Sequence, residues 1–143
     1  MDRELMITGL REVALVSRDA DRAVRFYTDL LGLRAGREGS PDHYRLSFAD
    51  APDTAGAVSI LEEATVLDGQ IGIGAVHHLA FIVESYDALL KWKRWLRGKD
   101  VLITGPYNQQ AYQDLVLTDP DGVLLELATR GPGWAVTQNG EDV

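Results

Sequence analysis

The sequence predicts an α+β fold: two tandem β-α-β-β-β modules forming a curved eight-stranded mixed sheet around a cleft, with the helices outside. Three observations predict it. The chain resembles itself at a shift of about 66 residues, and each copy opens with a strand pattern running into a capped amphipathic helix. Each copy then closes with short apolar runs bounded by turn residues. One such module cannot cover its own sheet, so two side by side would share a cavity lined by inward-facing positions.

The first module spans about residues 7–64. Its segment Arg11–Tyr27, REVALVSRDADRAVRFY, lies over His77–Lys93, HHLAFIVESYDALLKWK, in the second module. Val13 to Val16 match Leu79 to Ile82 as the opening strands. Asp19 and Ser85 follow as helix caps, because their side-chain oxygens can accept from free N–H groups of the first turn. The first helix then places Ala23, Phe26, Tyr27, Leu30 and Leu31 on one face; the second places Ala88, Leu89, Trp92, Trp95 and Leu96. Gly32 and Gly98 end the helices as left-handed caps. Downstream, HYRLSFADAPD (43–53) resembles AYQDLVLTDPD (111–121), and ILEEAT (60–65) lies over LLELAT (124–129). A glycine-rich linker at about 65–73 joins the modules, the second spans about 74–130, and an irregular tail at 131–143 carries Trp134 as a docking residue. All of this reads as one domain, residues 1–143.

Composition narrows the function. With 45% hydrophobic and 25% charged residues the chain is an ordinary globular one, and no apolar run approaches the ~18 residues of a membrane span. The start, MDRELMITGL, has no secretory pattern. The absence of cysteine excludes disulfides, thiolate metal sites and cysteine nucleophiles, and fits a cytoplasmic protein. A net charge of −8 argues against a nucleic-acid partner, and the one basic cluster, Lys91–Arg97, reads as a solvated helix face.

The candidate chemistry sits on strands. In GAVHHLAFIV (74–83), read as one strand, neighbouring histidines point to opposite faces. His78, Ala80 and Ile82 take the cleft side; His77, Leu79, Phe81 and Val83 pack under a helix. The repeat puts Glu12, Ala14 and Val16 on the matching face of the first module. The aligned closing strands make Glu62 and Glu126 equivalent. Glu12, Glu62, His78 and Glu126 thus converge, and carboxylates gathered in a pocket need a positive charge among them. A divalent cation (Mn, Fe, Ni, Co or Zn) satisfies them. Tyr112 and Gln113 are candidate pocket walls.

The layout, with ITGLREVALVSRDADRAVRFYTDLLGLR, VHHLAFIV and LTDPDGVLLELAT, resembles the vicinal oxygen chelate superfamily, which includes glyoxalase I, methylmalonyl-CoA epimerase, fosfomycin- and bleomycin-resistance proteins and extradiol dioxygenases. The resemblance covers nearly the whole chain and implies a small-molecule substrate and a homodimer. It implies metal ligands at Glu12, Glu62, His78 and Glu126, with Glu126 or Glu62 moving a proton. The tail LATRGPGWAV looks most like ring-cleaving dioxygenases. Three positions depart from those enzymes: Glu12 stands for their first histidine ligand, Arg11 for a second histidine, and Val116 or Leu117 for a tyrosine. The expectation is therefore Lewis-acid isomerase, epimerase or lyase chemistry, with extradiol ring cleavage as one alternative. A metal-free binding protein of the bleomycin-resistance kind is the other.

Overall fold

The computed structural model describes residues 5–37, 43–51 and 55–131; the tail expected to dock through Trp134 lies outside them. The chain divides into two compact units, Met1–Leu67 and Asp68–Val143. The first holds β1 (Val13–Ser17), α1 (Ala20–Arg25), β2 (Arg34–Arg37), β3 (His43–Ser47) and β4 (Ala57–Glu62). The second holds β5 (Leu79–Val83), α2 (Tyr86–Arg97), β6 (Ile103–Asn108), β7 (Gln113–Thr118) and β8 (Leu124–Thr129). Both expected β-α-β-β-β modules are present. Their eight strands form two four-stranded mixed sheets, ordered β1-β4-β3-β2 and β5-β8-β7-β6, so strand hydrogen bonding stays within each module. Among the described residues no helix is long and apolar enough to cross a membrane.

In the first unit, Asp19 caps α1 by accepting from the Arg22 N–H at 3.0 Å. The helix continues as a π-helical turn, Phe26–Leu30, closed by a 3.3 Å bond from the Leu31 N–H to the Phe26 carbonyl. Gly32, at φ +77°, then turns the chain so that the Leu33 N–H reaches the Tyr27 carbonyl at 2.9 Å. Ala23, Phe26, Tyr27 and Leu31 are buried with Leu46, Val58 and Ile60 of the sheet, and the Phe26 and Tyr27 rings meet edge to face at 5.3 Å.

The second unit repeats the plan. Ser85 caps α2 by accepting from the Ala88 N–H at 3.1 Å, and α2 packs on all four strands. Leu89 and Leu96 are fully buried, each contributing about 2 kcal/mol of apolar burial. Trp95, expected on the buried face, is 45% exposed, with the Lys99 ammonium 4.7 Å above its ring. Gly98 keeps a right-handed φ of −66°; the left-handed residue after this helix is Asp100, at φ 58°.

One close approach shapes the far side of this sheet. The β6–β7 register shifts between Thr104 and Tyr107, around Gly105. Gly105 sits at φ +106°, and a Cβ there would lie 2.8 Å from the Asp114 carbonyl oxygen. The Lys93 ammonium of α2 donates to the Gly105 carbonyl. The strand carrying Asp114 is thereby drawn against β6.

Candidate functional site

The second unit assembles a polar cluster on one sheet face. His78 Nε2 lies 2.6 Å from Glu126 Oε2; the imidazole is 37% exposed and the carboxyl side chain 9%. Glu126 sits in the middle of β8, opposite Ala80 of β5 and Val116 of β7, between the buried Leu125 and Leu127. Burial there, together with a hydrogen bond and like charge from Asp114, pushes the Glu126 carboxyl up to about 7; a hydrogen bond from Tyr112 works the other way. The negative charge of Glu126, followed by burial, raises the Tyr112 phenol in turn. Asp114 is 1% exposed and accepts from Gln109 Nε2 at 3.2 and 3.4 Å.

His77 and His78 precede β5 rather than lying in it, so strand alternation does not separate them. Their rings meet edge to face at 5.2 Å, with the two Nδ1 atoms 2.9 Å apart. His77 therefore abuts the pair instead of packing under the helix.

The first unit holds a counterpart at the same places. Ala14 pairs with Ser59 across β1 and β4, as Ala80 pairs with Glu126 across β5 and β8. Ala14 and Ala80 are repeat mates, so the residue equivalent to Glu126 is Ser59. Fully buried Ser59 donates from Oγ to Glu12 Oε2 at 2.7 Å, and Arg11 Nη1 lies 3.1 Å from that oxygen. The Ser59 hydrogen bond holds the Glu12 carboxyl below the usual range; burial opposes it, and Arg11, His43 and Arg45 add smaller lowering effects. His43 is half-buried, and its Nε2 is enclosed without a hydrogen-bond partner.

This register corrects the alignment of ILEEAT with LLELAT. Glu62 pairs with Ser17, on the face opposite Glu12, and its Oε2 accepts from the Ala20 N–H at 3.2 Å. It serves the N-terminus of α1, where a carboxylate is favoured, and is not brought to Glu12. Gln113 also lies on the other face from Glu126: its Oε1 accepts from Thr129 Oγ1 at 3.0 Å, and its buried Nε2 has no hydrogen-bond partner. Tyr112 does reach Glu126. Sequence reasoning missed Ser59, Asp114 and Gln109; the local signal for Asp114 was an acid inside the strand QDLVLT.

One imidazole nitrogen and one carboxylate oxygen converging on a sheet face fit a divalent cation as part of a donor set. Among the described residues no group of three His, Cys, Asp or Glu is arranged to hold a metal ion. Within the units taken singly, the donors are the His78–Glu126 pair and Glu12.

A family model described as the Glyoxalase/Bleomycin resistance protein/Dioxygenase superfamily matches residues 9–127. Two proteins of Bacillus subtilis (strain 168), named "Putative ring-cleaving dioxygenase MhqO" and "Putative ring-cleaving dioxygenase MhqA", are each 28% identical over 92% and 95% of this chain. The chain spans less than half of their length, 41% and 44%. The crystal structure of an integron cassette protein from the mobile metagenome of the Halifax Harbour sewage outfall is 31% identical. It superposes with a TM-score of 0.70 over 86% of this chain and 99% of its own.

Proposed function

The chain belongs to the Glyoxalase/Bleomycin resistance protein/Dioxygenase superfamily, and from that premise we propose that it is a divalent-metal enzyme acting on a small oxygenated organic molecule at the His78–Glu126 pair. The observation that carries this is the 2.6 Å contact between a half-exposed imidazole and a buried carboxyl raised to about 7. Strongly perturbed groups paired on an accessible face are the signature of working chemistry.

When bound, the cation would supply Lewis-acid polarisation of a substrate carbonyl or hydroxyl oxygen. His78 and Glu126, both of the second module, would hold it. Ser59 and Arg11 keep Glu12 ionised and oriented. Glu126, poised near neutrality, is suited to hold or release a proton at Oε2, the basis of isomerase, epimerase or lyase chemistry. Tyr112 lies near enough to the same carboxyl to oppose the rise of its pKa. A homodimer is part of this proposal.

Ring cleavage of a dihydric phenol is the second reading, favoured by the names of the two relatives. Glu12, where such enzymes carry histidine, speaks for the first. Protein loaded in turn with Mn, Fe, Ni, Co and Zn should be offered α-hydroxycarbonyl compounds and dihydric phenols while oxygen uptake is followed. The first reading expects turnover without oxygen, lost in Glu126→Gln. Oxygen consumed with a dihydric phenol would move the assignment to the second. Absence of bound metal and of turnover, with tight binding of an organic cation, would leave a binding protein.

A further inference from the structure

Resting on the functional reading above, we infer that Asp114 is a positioning residue for Glu126: anchored by Gln109, its carboxyl holds Glu126 with Oε2 turned toward His78.

Asp114 is 1% exposed, on the Glu126 face of a strand whose opposite face carries Leu115 and Leu117 into the apolar core. An acid so placed is costly unless its oxygens are met. They are met on one side by Gln109 Nε2, which reaches both Oδ atoms. Gln109 is itself fixed by the β6–β7 turn, where its N–H donates to the Tyr112 carbonyl at 2.8 Å and its carbonyl accepts from the Ala111 N–H at 2.8 Å. On the other side lies Glu126. Asp114 pairs with Ala128 and Val116 with Glu126, so the two acids are diagonal neighbours on one face, within reach of each other.

The scaffold does not require an acid here. In the first unit His43 pairs with Leu61 at the place that Asp114 and Ala128 hold in the second, and the same four-stranded sheet forms around it. What differs is the residue served: a serine hydroxyl in one unit, a carboxyl aimed at an imidazole in the other. Gln109 meets Asp114, Asp114 stands diagonal to Glu126 on the same face, and Glu126 meets His78.

Two substitutions separate positioning from bulk. In Asp114→Asn the amide can still accept from Gln109 and donate to Glu126; Asp114→Val removes both contacts at similar volume. The readouts are the His78 Nε2 shift in metal-free, 15N-histidine-labelled protein, and the affinity for Mn²⁺ alone. Asn is expected to keep the His78 shift and an affinity within about threefold of the parent, whereas Val moves the shift to that of Glu126→Ala and weakens Mn²⁺ about tenfold or more. A purely structural role would lower the melting temperature and leave both readouts of the folded protein unchanged, overturning the inference; so would equal damage from Asn and Val. If Asp114→Val does not fold, Gln109→Leu reads the same two quantities with the carboxyl left in place and its anchor gone, and unchanged values again overturn it. A parent that binds no Mn²⁺ defeats the functional reading, and the His78 shift then still decides the role of Asp114.

Discussion

The strand pair β1–β4 holds Glu12 against Ser59, and the pair β5–β8 holds His78 against Glu126, at matching registers of two repeated sheets. The backbone places are the same and the electrostatics are opposite. In the first unit a hydroxyl, two arginines and an imidazole hold a carboxyl below its usual range; in the second, burial and a neighbouring acid hold one well above it. Strand pairing fixes where a side chain stands. The residues one strand away fix what it can do.

The largest way to break this comparison is through the glycines of β2 and β6. Gly36 faces Arg45, and a Cβ there meets only the Arg45 carbonyl oxygen, at 3.9 Å. Gly105→Ala must place its methyl 2.8 Å from the Asp114 carbonyl oxygen at a φ of +106°. It should cost about 2–3 kcal/mol and weaken the Glu126 cluster with it. Gly36→Ala should stay within about 0.5 kcal/mol. Denaturant titration checks both, and equal effects would mean that the close β6–β7 approach does not support the site.

The pH dependence of stability sharpens the comparison further, because the two carboxyls should act with opposite sign. Glu126 binds its proton more tightly in the folded state, so the stability it contributes is complete below its ordinary 4.5 and is lost as pH rises through about 7. Glu126→Gln should flatten that decline, an effect on the order of 1–3 kcal/mol between pH 4.5 and 8. Glu12, depressed, contributes above its ordinary value and loses that contribution as pH falls through its lowered one. Glu12→Gln should flatten only the acid limb. Melting temperatures across pH 3–9 test both; an unchanged slope in Glu126→Gln between pH 4.5 and 7 would contradict the account of that carboxyl.

The parts of this fold that are local were legible in the sequence. Asp19 and Ser85 announce their helices through the residues next to them, and both accept the N–H expected of a cap. The opening strands carry the repeat in consecutive residues and keep its shift of 66. The closing strands do not, because their register is set by parallel pairing with a strand over 40 residues away. Likeness of ILEEAT to LLELAT pointed to Glu62, while the pairing places Ser59 three residues earlier. His77 and His78 read as strand residues, yet β5 begins one residue later, which brings the rings together. Gln113 and Asp114 are adjacent, and nothing local tells which of them faces Glu126. The bulge at Gly105 and the pairing of β7 with β8 decide it for Asp114.

Pulsed EPR on Mn²⁺-loaded protein addresses the His78–Glu126 pair most directly, since an imidazole bound to the ion leaves a ¹⁴N modulation on the echo. Such a modulation is expected in the parent protein and in His77→Ala and His43→Ala, and should vanish in His78→Ala. No modulation in the parent, or one that survives in His78→Ala, would contradict the assignment of this pair as the metal-holding centre.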